Sequence, residues 1–414
     1  MKKENTSIKY SMFWNSFGSM TYLLFQWIIT VLITRILGFD DAGIFSLAMS
    51  ITNIFACIAL FGVRNFQVSD INAKYSDVTY LVCRYITCLS SIGICLIFVL
   101  SQPYSFKIGL CVMIYMIFRA AEAFVDVLHG VDQKFWRMDI VGKSFLLRGT
   151  LMLLSAFLIM YSTKNLLFTI AVMTISTILV IIFFDCSFSF KKIARDKKLN
   201  LNELKSLLIE AFPLSVYLIM LNTMGSIPRL FLERIAGSEK LGVYASIATP
   251  ALIVQVSASF IFTPLIGLFA EYYNDNNKKK FVNLFYKVIA MILLISIVAI
   301  VATILLGDLG LKILYGETIL EFSYLLLPVI MCTILTAFSW FLCMVLTVMR
   351  EIKGLIFGCF LGLLCNGIGS PYFIKWYDMN GASYITIIGA VVQIAIFLVV
   401  IITKTRKKWP KVVD

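Results

Sequence analysis

The apolar residues of this chain fall in long runs that recur from one end of the sequence to the other. A helix needs about 20 residues to cross ~30 Å of hydrocarbon, and each run reaches that length. Inside a bilayer a run of this kind has to be helical, because no water is present to satisfy the backbone. The pattern predicts an all-α polytopic membrane protein of about twelve transmembrane helices, at residues 11–37, 42–64, 78–101, 104–129, 140–162, 165–187, 207–233, 241–269, 281–306, 322–348, 352–374 and 382–403.

The lysines and arginines between these runs alternate from one side of the membrane to the other. If the N-terminus is cytoplasmic, the cytoplasmic side holds twenty-three of them and the opposite side holds five. The positive-inside rule therefore predicts that both termini are cytoplasmic. Because this topology accounts for the net charge of +13, a nucleic-acid partner is not expected.

Cysteine and histidine usage argues against a metal site and against nucleophilic catalysis. The ten cysteines lie inside apolar runs, none forms a CxxC pair, and His129 is the only histidine. Zinc sites and Ser-His-Asp triads need clusters of such residues. The sequence therefore predicts neither a metal site nor catalytic residues.

A short motif occurs twice, at the end of the first predicted helix and at the end of the seventh. Both copies read R-I-x-G-x-[DE]-x-x-G-[IV]-[FY]. The arginine is placed to reach the lipid headgroups, and the first glycine permits a tight turn between two helices. We interpret the motif as a structural hairpin. Its shared residues are Arg35, Gly38 and Gly43 in the first copy and Arg234, Gly237 and Gly242 in the second.

The repeat divides the chain into two six-helix lobes. The predicted lobes are residues 1–190 and 207–404, joined by a basic cytoplasmic connector at 191–206 and followed by a basic cytoplasmic tail at 405–414. Because each lobe has an even number of helices, the two insert in the same orientation, related by a pseudo-two-fold axis along the membrane normal. Parallel repeats of this kind are typical of transporters.

Several ionisable residues lie inside the predicted helices, where each costs ~2.5–3.5 kcal/mol on insertion scales. Arg119 and Glu122 on the fourth helix could form an intrahelical pair, but their depth and that of Arg148 on the fifth favour a water-filled cavity. Asp126 is assigned to the cytoplasmic rim. A net-positive cavity would attract an anion such as a pyrophosphate or an acidic sugar. The predicted substrate-binding residues are Arg119, Arg148, Glu122, Asn53, Asn222 and Gln255.

Residues Tyr10 to Asp70 resemble the start of a Wzx-type polysaccharide repeat-unit flippase of the multidrug/oligosaccharidyl-lipid/polysaccharide exporter superfamily. The resemblance is carried by Phe13-Trp14-Asn15-Ser16 with Gly18, by TRILGFDDAGIFSLA from Thr34 and by LFGVRNFQVSD from Leu60.

This resemblance implies a two-lobed bundle in the bacterial cytoplasmic membrane. By alternating access, such proteins move undecaprenyl-pyrophosphate-linked repeat units of O-antigen or capsule from the inner to the outer leaflet. The implied partners are this lipid-linked oligosaccharide, membrane lipid, a polysaccharide polymerase and a chain-length regulator. Some members use an ion gradient, so the resemblance implies H⁺ or Na⁺ as a coupling ion and no other cofactor. It assigns only a cationic lumen role to Arg119 and Arg148.

Two other classes remain as alternatives. A cation-coupled multidrug or small-molecule antiporter would share the fold, but the first helix has no acidic residue between Tyr10 and Gly38 for coupling. A membrane-embedded polysaccharide polymerase would need a large external loop, whereas the longest predicted external loop, 307–321, is short. The sequence therefore favours transport over enzymatic chemistry.

Overall fold

The computed structural model describes residues 8–70, 74–193, 200–262 and 265–409. Eleven helical segments in these ranges are long and apolar enough to cross a membrane. A further long helix, Ser238–Phe262, lies at the position of the predicted eighth span. The prediction of an all-α polytopic membrane protein is therefore confirmed.

The helices follow one another with short connections. In the first half they are α1 (Ile8–Leu37), α2 (Phe39–Leu60), α3 (Val63–Ser69), α4 (Asp77–Ser101), α5 (Phe106–Lys134), α6 (Met138–Thr163), α7 (Leu166–Val180), a π-helical turn (Ile181–Asp185) and α8 (Cys186–Ser189). In the second half they are α9 (Leu201–Ala236), α10 (Ser238–Phe262), α11 (Ile266–Asn274), α12 (Lys278–Tyr315), a 3₁₀ turn (Thr318–Leu325), α13 (Leu326–Val348), α14 (Ile352–Tyr377) and α15 (Met379–Lys408).

The predicted external loop at 307–321 is wrong, because α12 continues to Tyr315 and the 3₁₀ turn follows almost at once. Asp308 and Lys312 are charged residues of this stretch. They lie one helical turn apart on the exposed side of α12, and Lys312 pairs with Glu317 at 2.7 Å. Two exposed charges on one face therefore did not end the helix.

Two other predicted helices are broken by the structure. The predicted span 42–64 divides at Phe61 and Gly62, whose φ angles of 45° and 64° end α2 and start α3. The predicted span 241–269 ends at Phe262, and the separate helix α11 follows. Backbone in the left-handed region cannot continue a right-handed helix, which explains the first break.

The chain divides into two compact units, Met1–Asn222 and Thr223–Asp414. In the N-terminal unit α2 packs on α5, α5 on α7 and α6 on α7. In the C-terminal unit the corresponding helices pair in the same way, with α10 on α13, α13 on α15 and α14 on α15. The two units thus share one packing order, as expected for a duplicated lobe.

The predicted lobe bounds stay predictions, because a compact unit and a sequence repeat need not share a boundary. The start of α9 belongs to the N-terminal unit, where Thr79 donates to Glu203 at 3.1 Å and Tyr75 is bonded to Ser206. Residues 194–199 of the predicted connector and 410–414 of the predicted tail lie outside the described residues.

The repeated motif forms the same turn in both units. Gly38 and Gly237 have φ angles of 94° and 91°. The N–H of each glycine donates to the carbonyl four residues earlier, Thr34 at 3.1 Å and Glu233 at 2.8 Å, and so closes the preceding helix. The next helix starts at the following residue.

The other motif residues occupy matching places. Arg35 and Arg234 are exposed, whereas Gly43 and Gly242 are buried in the first turns of α2 and α10. An exposed arginine at the end of a membrane helix is able to reach headgroups. The geometry agrees with the interpretation of the motif as a structural hairpin.

Helices α1 and α6 touch backbone to backbone. A Cβ atom added to Gly142 would lie 2.0 Å from the carbonyl oxygen of Trp14, and one added to Gly18 would lie 2.0 Å from the carbonyl oxygen of Gly142. Small residues at such crossings let membrane helices pack closely. Two residues of the quoted FWNS-x-G segment are thus explained by this contact, which fixes α6 beside α1.

The LFGVRNFQVSD segment contains α3, and its last residue, Asp70, binds the backbone of residues 74 and 75. Gln67 is fully buried, and a Cβ on Gly130 of α5 would meet its side-chain oxygen at 2.0 Å. Asp70 accepts hydrogen bonds from the backbone N–H groups of Lys74 at 2.8 Å and Tyr75 at 3.0 Å. Burial alone would raise the pKa of Asp70, but these bonds hold it below its ordinary value.

Candidate functional site

A polar cavity of about 180 Å³ lies inside the N-terminal unit, between α2, α5 and α6. Residues 119, 122, 126 and 129 are three or four positions apart, so they share one face of α5. The cavity is lined by Ala56 and Leu60 of α2, by Arg119, Glu122, Ala123, Val125, Asp126 and His129 of α5, and by Phe145 and Arg148 of α6.

Arg119 and Glu122 form the ion pair that their spacing suggested, and both also line the cavity. Nη1 of Arg119 donates to Oε2 of Glu122 at 2.6 Å. The other oxygen, Oε1, accepts from the hydroxyl group of Tyr22 on α1 at 2.5 Å. Nε of Arg119 is buried and has no hydrogen-bond partner among the described residues. The pair therefore leaves one arginine donor unused.

Arg148 is only 1% exposed and is held by aromatic rings. Its guanidinium carbon lies 5.2 Å from the ring centre of Tyr22 and 4.9 Å from that of Phe145. Cation–π contacts of this kind stabilise a charge away from water. Nε of Arg148 donates to the hydroxyl oxygen of Ser144 at 3.2 Å, whereas Nη2 has no partner in the described part of the chain.

A buried network behind Arg148 holds its charge in place. Ser144 donates to Oδ2 of Asp185 at 2.9 Å, and Nε2 of His129 donates to Oδ1 of Asp185 at 3.2 Å. All of these side chains are buried. Asp185 ends the π-helical turn, a distortion that is frequent at functional sites in membrane and soluble helices. The carboxylate of Asp185 is thus linked to Arg148 through the hydroxyl group of Ser144.

A third carboxylate, that of Asp126, pairs with two arginines. Arg64 of α3 donates to Oδ1 of Asp126 at 2.9 Å, and Arg84 of α4 donates to Oδ2 at 3.1 Å. Arg84 is fully buried and also donates to the carbonyl of Ala59 at 2.6 Å. The carboxylate of Asp126 is 20% exposed and lines the cavity, and its assignment to the cytoplasmic rim stays a prediction.

The arrangement is suited to binding an anion. The lining itself balances two arginines, at 119 and 148, with two carboxylates, at 122 and 126. The residues bonded to the lining add two arginines, at 64 and 84, and one carboxylate, at 185. His129 aside, the lining and these partners together carry one net positive charge. Arginine donors that lack a protein acceptor match the oxygens of a phosphate group.

Only three of the predicted substrate-binding residues, Arg119, Glu122 and Arg148, line this cavity. Asn53 lies on α2 one turn from Ala56, outside the lining. The amides Asn222 and Gln255 do not line it either. Asn222 is exposed and donates to the carbonyl of Leu218 at 2.9 Å, and Gln255 is half-buried on α10 of the C-terminal unit.

Sequence reasoning missed Tyr22, Arg84, His129 and Asp185. Arg84 and Asp185 are charged residues inside apolar runs, and the insertion cost of a charge was the signal that could have found them. Tyr22 and His129 carry no such signal, since their roles depend on neighbours from other helices. Within the described ranges no group of three or more His, Cys, Asp or Glu residues could hold a metal ion.

Comparison with known proteins agrees with this architecture. Residues 8–273 match the family described as "Polysaccharide biosynthesis protein". The capsular polysaccharide biosynthesis protein CapF of Staphylococcus aureus is 27% identical over 309 residues, covering 71% of this chain and 74% of that protein.

Two solved structures share the fold over nearly the whole chain. The inward-facing form of a multidrug resistance transporter of the MATE family and MOP superfamily is 15% identical, with a TM-score of 0.72 over 97% of this chain and 99% of that one. The lipid II flippase MurJ in an inward closed conformation is 12% identical, with a TM-score of 0.73 over 97% of this chain and 90% of that one.

The resemblance to polysaccharide biosynthesis proteins that the N-terminal motifs indicated is thus confirmed. The family match extends over more than half of the chain, through the whole N-terminal unit and its cavity. The chain belongs to the polysaccharide biosynthesis protein family, and it does so as a multi-pass membrane protein.

Proposed function

We propose that this protein is a flippase for lipid-linked oligosaccharides. It moves undecaprenyl-pyrophosphate-linked repeat units from the inner to the outer leaflet of the bacterial cytoplasmic membrane by alternating access. The observation that carries the proposal is the cavity of the N-terminal unit, where Arg119 and Arg148 each keep a donor without a partner among the described residues. This cavity lies among helices that can cross a membrane. Membership of the family and the relative named for capsular polysaccharide biosynthesis support it.

In this proposal Arg119 and Arg148 bind the diphosphate that joins the sugar to its lipid. Their unpartnered Nε and Nη2 atoms supply hydrogen bonds to phosphate oxygens, while the lipid chain stays in hydrocarbon. No covalent bond forms or breaks, so the protein needs binding residues and no catalytic ones. A coupling ion, H⁺ or Na⁺, and contacts with a polymerase and a chain-length regulator belong to the same proposal.

The sign of the cavity separates this proposal from the antiporter alternative. A carrier of organic cations needs an excess of acidic groups where its substrate binds. The lining has no such excess, since Arg119 and Arg148 balance Glu122 and Asp126, and the residues bonded to the lining add one net positive charge. An anionic substrate is therefore favoured.

Complementation of a flippase-null strain that makes the same glycan tests the proposal. We expect the wild-type gene to restore surface polysaccharide, and Arg119→Ala and Arg148→Ala each to reduce export at least about ten-fold, because removing one buried charged hydrogen bond costs ~1.5–3 kcal/mol. Arg234→Ala is the matched control, since Arg234 is exposed and lies outside the cavity.

Membrane levels of each variant are compared by immunoblotting. Normal export by both cavity variants would show that the cavity does not bind the substrate. Failure of the wild-type gene to restore export, with the protein present in the membrane, would contradict the flippase assignment itself.

A further inference from the structure

Glu122 occupies the donors that an anionic ligand would need. One of its oxygens accepts from Arg119 and the other from the hydroxyl group of Tyr22, at 2.6 and 2.5 Å. Both oxygens are therefore engaged by donors of the protein itself. Arg148, which lines the same cavity, lies over the ring of that tyrosine.

These contacts join two pairs of helices across the cavity. Helix α1 packs along α6, and α2 packs along α5, whereas α5 and α6 touch much less. Tyr22 belongs to the first pair and Glu122 to the second. The bond between them therefore links the two sides of the cavity through one carboxylate.

We propose that Glu122 is the internal counter-anion of this cavity and sets the affinity that an anionic ligand needs in order to bind there. A ligand has to displace the carboxylate from Arg119, where Tyr22 helps to hold it, before it can use that guanidinium group. Chloride and other monovalent anions only exchange one charge for another. A diphosphate brings more charge and more acceptor oxygens for the guanidinium groups of Arg119 and Arg148.

The expected size of the effect follows from electrostatics. At an effective dielectric constant of about 20, two like charges about 5 Å apart repel strongly enough to weaken binding roughly a hundred-fold or more. Neutralising Glu122 removes this repulsion for every anion. The gain grows with the charge of the ligand, so it is at least as large for pyrophosphate as for chloride.

Anion binding to the purified full-length protein in nanodiscs tests the inference, with inorganic pyrophosphate and chloride as the probes in calorimetry. We expect Glu122→Gln to tighten pyrophosphate binding at least about ten-fold and to tighten chloride binding by no more than that. Tyr22→Phe keeps the ring under Arg148 but removes one bond that holds the carboxylate. We expect it to tighten pyrophosphate binding a few-fold.

Glu233→Gln is the matched control, because Glu233 is also a half-buried glutamate of a membrane helix but lies outside the cavity. We expect it to bind both anions as the wild type does. Thermal unfolding of each variant shows whether it is folded. If Glu122→Gln does not fold, pyrophosphate binding by Tyr22→Phe tests the counter-anion role of Glu122.

The inference rests on the proposed binding of a diphosphate, and the two can fail separately. If the wild type binds pyrophosphate, Arg148→Ala weakens it, and folded Glu122→Gln and Tyr22→Phe bind as the wild type or more weakly, then only the counter-anion role is wrong. If the wild type binds no pyrophosphate, the anion site and the inference are both wrong.

Discussion

Gly38 and Gly237 set the boundary between two membrane helices by conformation alone. Each has a φ near 90°, and a Cβ atom at either position would meet nothing within 4 Å. Space is therefore not what requires glycine. An L side chain is strained in this backbone region, and the cost is ~1–3 kcal/mol.

We expect Gly38→Ala and Gly237→Ala each to lower the free energy of unfolding by about 1–3 kcal/mol, because alanine has to adopt the strained conformation. Thermal unfolding in detergent micelles measures this effect. Gly93→Ala is the control, since Gly93 lies inside α4 with equal space around it and no positive φ. Equal unfolding temperatures for all three variants would contradict the conformational argument.

The individual charged residues of the site were partly predictable. Arg119, Glu122 and Arg148 stood out because a charge inside an apolar run costs free energy unless it faces water or a partner. The same argument does not identify the partner. The two arginines that pair with Asp126 come from α3 and α4, 62 and 42 positions away in sequence.

At the scale of single elements, the π-helical turn after α7 decides where Asp185 points. A π-helical turn adds one residue to the helix, so residues after it face a different direction from the one that a 3.6-residue period predicts. Here the turn ends at Asp185, whose carboxylate meets His129 of α5 and Ser144 of α6. Hydrophobic patterning treated this stretch as an ordinary span end.

We expect Asp185→Asn to lower the free energy of unfolding by about 2–4 kcal/mol, because it removes one charge from a buried network that also contains His129 and Arg148. Asp308→Asn is the control, since Asp308 is an exposed acid on α12. Thermal unfolding in micelles of the same detergent compares the two. If both variants unfold at the same temperature as the wild type, the network does not stabilise the unit.

At the scale of the whole molecule, the arrangement across the membrane is predicted by charge. The asymmetry of twenty-three against five lysines and arginines fits an even number of spans in each half. The described residues form six long helices in each half. The orientation itself stays a prediction.

Reporter fusions test that orientation in cells. We expect alkaline phosphatase to be active when fused after Lys164 or Asp378 and inactive after Asn276 or Arg350, because the first two turns face away from the cytoplasm in the predicted topology. Green fluorescent protein at either terminus is expected to fluoresce. The reverse pattern would overturn the topology.

The sequence by itself determined the helical class, the presence of many apolar runs of membrane-spanning length and the hairpin glycines. Each of these follows from local rules: the length of an apolar run, the insertion cost of a charge, and the backbone freedom of glycine. Local rules also selected two of the four arginines of the site.

Only the tertiary structure decided which groups share the cavity and which are already paired. Tyr22, Arg84 and Asp185 lie outside its lining but bond to Glu122, Asp126 and His129 from α1, α4 and the π-helical turn, through contacts between residues 42 to 100 positions apart. Such contacts depend on how helices pack and where one of them changes its period. A linear pattern of hydrophobic and polar residues contains neither quantity, so the pairing of Glu122 with Tyr22 was visible only after folding.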